Sequence, residues 1–136
     1  MSTKIKSITT VVARVLLGLI YFVFGLNFFL HFLPTPPPPD GVAGSFVGGL
    51  FQSGYFFPVL KGIEVVVGAL LIARLFVPLS LVILAPISLH ILLFHAFLAP
   101  ANVALSVVIL ALNLYLAWVY RDYYKPLLQS KSTVTV

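Results

Sequence analysis

The chain has 136 residues, of which 61% are hydrophobic and only 8% are charged, and it contains no cysteine. This composition is far from that of a soluble domain and is typical of an integral membrane protein. The net charge of +5 does not indicate a nucleic-acid partner, because the basic residues lie mainly at the ends of apolar segments. The lack of cysteine excludes disulfides, thiolate metal sites and dithiol redox chemistry.

Four apolar segments have about the 20 residues that a helix needs to cross the hydrocarbon core of a bilayer. In chain order they span residues 10–33, 55–73, 77–98 and 101–120. The first segment is too long for a signal peptide and has no small-residue cleavage site, so we expect it to remain as an anchor. The sequence therefore predicts an all-α fold, an antiparallel four-helix membrane bundle forming a single domain over residues 1–136.

A long loop, residues 34–54, separates the first two segments. It begins with PTPPPPDG, which has few backbone donors and predicts a polyproline II segment. The sequence VAGSFVGGLFQSG follows, with Phe46, Leu50 and Phe51 at helical spacing. We therefore expect a short interfacial or re-entrant helix between the first and second segments.

The basic residues predict how the bundle is oriented. With four crossings, one side of the membrane receives Lys4, Lys6, Arg14, Arg74, Arg121, Lys125 and Lys131. The opposite side has the 34–54 loop, whose only charge is Asp40. The positive-inside rule places the basic side in the cytoplasm. Both termini are therefore expected to be cytoplasmic.

Polar side chains within the apolar segments gather in the half of the bilayer away from the cytoplasm. The six candidates for ligand binding are Glu64, His90, Lys61, Asn27, His31 and His95. Ionisable groups at membrane depth are costly and usually functional. Lys61 and Glu64 are three residues apart, so they share a helical face and can pair. Two interpretations remain open: the pair fixes helix register, or Glu64 faces a ligand.

Other residues are expected to shape the bundle. Gly18 and Gly25 in the first segment and Gly68 in the second would allow close contact between helices. Pro86 removes a backbone hydrogen bond and is expected to bend the third segment near the membrane centre. Asn113 is expected to hydrogen-bond between helices.

The sequence gives little support for a metal or haem site. Histidine and carboxylate side chains are suitable metal ligands, but His31, Glu64, His90 and His95 lack the spacing that fixes two ligands on one helical face. Haem would need facing histidines, and only His31 and His95 lie at similar depth. We predict no metal site and no intrinsic cofactor. The sequence assigns no catalytic residue, and whether the protein is an enzyme stays open.

Two stretches, ARVLLGLIYFVFGLNFFLHFLP and GYFFPVLKGIEVVVGALLIARLFVPLSLVILAPISLHILLFHAFLAP, resemble the DoxX-like family of small four-helix membrane proteins. The most specific shared elements are Arg14, Gly18 and Gly25 in the first segment and the pattern Glu64-x-x-x-Gly68 in the second. The resemblance implies a four-helix bundle and an association with quinone-linked redox chemistry. It also implies functional roles for Arg14, Gly25, Glu64 and Gly68. Distant relatives act as cargo receptors or assembly chaperones.

Together, the residues and the resemblance predict a bacterial inner-membrane protein that binds a quinone or another small amphiphile in a polar pocket. Glu64 and His90 would hydrogen-bond or exchange protons with the ligand head, and Lys61 would tune the charge of Glu64. Electrons would come from a redox partner subunit. The alternative is a non-catalytic accessory or assembly subunit of a larger membrane complex, and self-association is also compatible with the sequence.

Overall fold

The computed structural model describes residues 3–34 and 37–134, with side chains described for 7–34 and 37–134. All regular secondary structure in these residues is helical. The α-helices are α1 (Thr3–Leu30), α2 (Gly41–Gln52), α3 (Phe56–Ala73), α4 (Val77–Phe97) and α5 (Val103–Val119). Short 3-10 helices cover Pro100–Asn102, Arg121–Tyr123 and Lys125–Leu128. The side chains of Lys4 and Lys6 and two positions of the proline run, 35 and 36, lie outside the described residues.

Four helical segments are long and apolar enough to cross a bilayer. They are Ser7–Leu30, Phe56–Ala73, Val77–Phe97 and Pro100–Val119, and each overlaps one of the four segments predicted above. This agreement supports a multi-pass membrane protein. The remaining helix, α2, has only 12 residues and lies in the part of the loop where a short helix was expected.

The end of α1 differs from the prediction. The predicted segment continued to Leu33, but α1 ends at Leu30 and His31 adopts a positive φ of 52°, which ends the helix. Leu33 precedes a proline, where the helical conformation is disfavoured, and its N–H donates to Asn27 Oδ1 at 2.7 Å. His31 N–H still donates to Asn27 O at 2.8 Å, so His31 is the first residue beyond the helix.

Glycines bring α1 and α3 into close contact along much of their length. A Cβ atom at Gly68 would lie 2.7 Å from Phe22 N, and one at Gly18 would lie 2.9 Å from Gly68 O. A Cβ atom at Gly25 would lie 2.8 Å from Val65 Cγ2. Larger side chains at these positions would push the two backbones apart.

Arg14 connects α1 to the end of α3. Its buried guanidinium donates from Nη1 to Leu71 O and, at 3.0 Å, to Ile72 O. Carbonyls in the last turn of a helix lack intrahelical donors and carry partial negative charge. Arg14 therefore satisfies the end of α3 while its own charge is compensated inside an apolar core.

A chain of hydrogen bonds joins α1, α4 and α5. Ser88 Oγ donates to Asn113 Oδ1 at 2.9 Å, and Asn113 Nδ2 donates to Leu81 O at 3.3 Å. Tyr21 Oη lies 2.6 Å from Ser88 Oγ. Because the Ser88 proton is directed at an oxygen that can only accept, Tyr21 is the donor to Ser88. The three side chains are fully buried, so Asn113 anchors a polar connection in the centre of the bundle.

Candidate functional site

A cavity of about 580 Å³ lies between α3 and α4 and is covered by α2. Four polar side chains line it: Lys61, Glu64, His90 and His95. The other lining residues are apolar, and they are Phe46, Val47, Leu50, Phe56, Phe57, Leu60, Pro86, Ile87, Ile91 and Phe94. An apolar cavity of this size with a few polar groups is typical of a small-molecule site.

Glu64 is the most buried polar side chain of the cavity. It is 3% exposed, and Lys61 Nζ lies 3.3 Å from its Oε2. This separation is that of an ion pair, and apart from Lys61 no described residue offers Oε2 a hydrogen bond. The Lys61 side chain is 24% exposed, so it reaches from Glu64 toward the surface. The carboxylate thus retains acceptor capacity in apolar surroundings, where an unmade hydrogen bond is costly.

The two histidines of the cavity have different environments. His90 lines the cavity and is exposed. His95 is half-buried, and its Nδ1 lies 2.9 Å from Ile91 O. Because a carbonyl oxygen only accepts, Nδ1 carries the hydrogen, and Nε2 of the neutral ring is an acceptor.

Aromatic contacts hold α2 over the cavity. The ring of Phe46 lies 5.8 Å from the ring of His90 and 5.9 Å from that of Phe94, measured between centroids. Phe51 contacts Phe57 of α3 in the same way, at 6.3 Å. These distances are typical of aromatic pairs. Phe46 is therefore the side chain that joins α2 to α4 across the cavity.

Two glycines with left-handed backbone conformation lie at the ends of α2, one at its first position and one two residues beyond its last. Gly41 has a φ of 68° and Gly54 has a φ of 81°, values that glycine adopts without the steric penalty of a side chain. They allow backbone turns at the two ends of α2 that a residue with a side chain would resist. Between them, Phe46, Val47 and Leu50 of α2 line the cavity.

Two residues expected to complete the lining lie elsewhere. Asn27 and His31 are not among the residues around the cavity. The Asn27 side chain accepts the Leu33 N–H, and His31 is exposed beyond the end of α1. Neither side chain lines this cavity, because α1 ends before His31 and Asn27 binds the Leu33 N–H, and a ligand-binding role for them stays a prediction.

The described part of the chain has no group of three or more histidine and acidic side chains close enough to hold a metal ion. Pro86 lies inside α4 and lines the cavity. Arg14, Gly18, Gly25, Gly68 and Asn113 lie in the helix contacts described above. Four of the six predicted ligand-binding residues thus line the cavity together with Pro86, whereas the other predicted structural residues lie in contacts between helices.

Sequence analysis missed Tyr21 and Ser88 of the buried hydrogen-bond chain and Phe94 of the cavity wall, and it gave Phe46 no role in a site. Hydroxyl groups in an otherwise apolar helix are a usable signal, because such side chains often hydrogen-bond to a neighbouring helix. Tyr21 and Ser88 could have been found in this way. The aromatic residues carry no comparable signal, since phenylalanine is common throughout these segments.

Compared with family models, curated proteins and solved structures, the chain has no match. The resemblance to the DoxX-like family therefore stays a prediction. Support for the candidate site comes from the distances between its residues and from their burial.

Proposed function

We propose that this chain is a DoxX-like protein of the bacterial inner membrane whose cavity binds the head of a quinone or another small amphiphile. The helices would cross antiparallel with both termini in the cytoplasm, and the cavity would then lie in the outer half of the bilayer. The order of contacts supports this arrangement, since Gly18 meets Gly68 while Gly25, further along α1, meets Val65.

The buried, incompletely satisfied carboxylate of Glu64 is the observation that carries the proposal. It lines an otherwise apolar cavity together with Lys61, His90 and His95. An amphiphile matches this distribution, because its apolar part can contact the hydrophobic walls while its head hydrogen-bonds to the few polar groups. Intramembrane ionisable groups are functional by default.

Exposure along the cavity supports access from the lipid. Phe46, Pro86 and His90 are exposed, whereas Glu64 is buried. A ligand dissolved in the bilayer would therefore meet the aromatic residues first and Glu64 last. In this proposal the chain binds the ligand and exchanges protons with it through Glu64 and His90, and a partner subunit exchanges the electrons.

The test is whether the purified protein retains a quinone or a related lipid. Lipid extraction and mass spectrometry should identify a bound amphiphile in the wild type, and Leu60→Trp, which fills the cavity, should remove it. Val59→Trp is the matched control, because Val59 is the neighbouring residue on α3, is 58% exposed and does not line the cavity.

Glu64→Gln tests the polar end of the cavity and should also reduce retention. Equal amounts of bound lipid in the wild type, Leu60→Trp and Glu64→Gln would contradict the proposal. Each variant is first checked for wild-type helix content, so that loss of ligand is not confused with loss of the fold.

A second function, an accessory or assembly subunit, is favoured by the free side of α2. A Cβ atom at Gly48 or Gly49 would meet nothing within 4 Å, and a groove of about 530 Å³ runs between these glycines and Pro38 and Pro39. A partner helix could approach closely there. If Gly48→Leu abolishes co-purification of a membrane partner while Glu64→Gln and His90→Ala change nothing, the accessory role is supported over the ligand-binding one.

A further inference from the structure

We propose that the end of the bundle at which α5 ends binds the head groups of anionic phospholipids. This basic end consists of the turn between α3 and α4, residues 74–76, and of the segment that follows α5, residues 121–128. The inference goes beyond the proposed ligand of the cavity and does not depend on it, since no residue of the basic end lines the cavity. It requires only that the apolar helices cross a bilayer.

One hydrogen bond brings the two segments of the basic end together. Tyr124 Oη donates to Pro78 O at 2.9 Å, and Pro78 is the second residue of α4, directly after the turn. The segment after α5 is itself compact, because Tyr124 N–H donates to Arg121 O and Leu127 N–H donates to Tyr124 O, each at 3.0 Å. Two parts of the chain that are distant in sequence therefore lie side by side at this end.

Large apolar side chains are exposed on both segments. Phe76 is 67% exposed, and Leu127 and Leu128 are 75% and 79% exposed. They lie outside the four helical segments that are long enough to cross a bilayer, so membership of a spanning helix does not account for their exposure. Apolar side chains beside a bilayer are stabilised by burial at the boundary between head groups and acyl chains.

The charges of the basic end are mainly positive. Arg74, Arg121 and Lys125 are exposed. Asp122 is the only acidic residue of either segment, and its Oδ1 lies 2.9 Å from Lys125 Nζ. Arg121 Cζ lies 4.5 Å from the centre of the Trp118 ring, and tryptophan is enriched at the depth of lipid head groups. Basic side chains at this depth attract anionic lipids, so the surface fits phosphatidylglycerol better than zwitterionic phosphatidylcholine.

The test measures how strongly the full-length protein prefers spin-labelled phosphatidylglycerol over spin-labelled phosphatidylcholine in phosphatidylcholine vesicles. Electron paramagnetic resonance separates lipid held at the protein from free lipid, and it gives the ratio of the two association constants. At low salt the wild type should prefer phosphatidylglycerol by about threefold or more, because each basic residue near the head groups attracts anionic lipid. High salt should abolish most of this preference, since exposed charges are screened.

Two matched variants locate the preference, because each removes one negative charge from an exposed position. Asp122→Asn removes it at the basic end and should increase the preference by about twofold. Asp40→Asn removes it before α2, where no basic residue accompanies it in the loop, and should leave the preference nearly unchanged. In the opposite direction, the double variant Arg74→Gln/Arg121→Gln should reduce the preference by about half or more.

A single fluorescent label reports whether the segment after α5 reaches the lipid. The chain has no cysteine, so Leu128→Cys gives one labelling site in the full-length protein. Phosphatidylglycerol that carries a nitroxide near its head group should quench this label more strongly than the corresponding phosphatidylcholine.

Three results would overturn the inference: equal association of the two lipids with the wild type at low salt, a preference that high salt leaves intact, or equal effects of Asp122→Asn and Asp40→Asn. A label at position 128 that only a water-soluble quencher reaches would also overturn it, and would favour a protein partner as the occupant of this surface. None of these results bears on the cavity or its ligand, so the proposed function would stand.

Discussion

Helix α3 contacts two neighbours in contrasting ways. Toward α1 it presents Gly68, and the two backbones approach so closely that a single Cβ would collide with main-chain atoms. Toward α4 it presents Leu60 and Glu64, and a cavity covered by α2 occupies the gap. We call these regions the α1–α3 interface and the α3–α4 gap. The first region thus brings two backbones into close contact, whereas the second holds a buried ionisable group beside a cavity.

Gly68→Leu should have the largest effect on stability. Its side chain would meet Phe22 N and Gly18 O, atoms that cannot move without separating the helices, since the added Cβ would lie 2.7 and 2.8 Å from them. We expect a loss of about 3 kcal/mol in the free energy of unfolding. The measurement is SDS-induced unfolding followed by circular dichroism.

Gly62→Ala is the matched control for Gly68→Leu. Gly62 lies on the same helix, and a Cβ atom added there meets nothing within 4 Å. It should unfold at the same SDS concentration as the wild type or a higher one, because alanine favours the helix. Equal unfolding of Gly68→Leu and Gly62→Ala would show that the α1–α3 interface is not as tight as described.

Asn113→Leu should have the next largest effect on the free energy of unfolding. It removes both the acceptor of the Ser88 hydroxyl and the donor to Leu81 O, in a core where Ser88 has little alternative. We expect a loss of about 1 to 2 kcal/mol, the size found for hydrogen bonds between helices in membranes. The same SDS titration measures it, with Leu114→Ala as a control at an exposed neighbouring position. An unchanged midpoint would mean that the Tyr21–Ser88–Asn113 chain does not stabilise the bundle.

Glu64→Gln should change the free energy of unfolding by less than about 1 kcal/mol, although Glu64 is buried. The substitution removes a charge from apolar surroundings, and Lys61 can extend toward the surface once its partner is neutral. It should nevertheless reduce ligand retention, which distinguishes the α3–α4 gap from the α1–α3 interface. Destabilisation as large as that of Gly68→Leu would instead make the Lys61–Glu64 pair a structural element.

Removal of the Asp122–Lys125 ion pair, which lies outside both regions, should have the smallest effect on the free energy of unfolding. Asp122 Oδ1 lies 2.9 Å from Lys125 Nζ, and both side chains are largely exposed. A hydrogen bond from Lys125, together with its charge, holds the pKa of Asp122 below its ordinary value. A carboxyl whose pKa is lower in the folded protein stabilises it above the unfolded pKa, and this contribution is lost as the pH falls through the folded pKa.

The wild type should therefore lose slightly more stability than Asp122→Asn only below about pH 4, where aspartate titrates. At neutral pH solvent screening should make the two nearly equal. Unfolding midpoints at pH 7 and in acid measure the difference. A large gap between the two proteins at neutral pH would indicate that the segment after α5 contributes more to the fold than its exposure suggests.

Much of the fold could be predicted because crossing a bilayer demands about 20 apolar residues in one run. The four segments and the short helix near Phe46 followed from this length and from helical spacing. The end of α1 could not be predicted, because it depends on one side-chain hydrogen bond from Leu33 to Asn27 and on a left-handed conformation at His31. A hydropathy profile reports neither a single side-chain hydrogen bond nor the backbone conformation of one residue.

Sequence analysis assigned Glu64 and His90 to one half of the predicted bundle but could not predict which way each helix is rotated. The structure brings both residues to one cavity. Which face each helix turns to its neighbours depends on the packing of the whole bundle. The docking of α2 through Phe46 is a tertiary contact of this kind, so the cover of the cavity appeared only in the structure.

Photolabelling tests the central claim most directly, namely that a lipid-soluble ligand occupies the gap between α3 and α4 beside Glu64. A hydroquinone with a diazirine next to its ring would be irradiated with the protein in nanodiscs, and the adducts would be mapped by mass spectrometry. The account predicts labelling of Leu50, Leu60 and Ile91, lost in Leu60→Trp and kept in Val59→Trp. Labels spread over outward-facing residues such as Val59 and Leu93, and unchanged by Leu60→Trp, would contradict it.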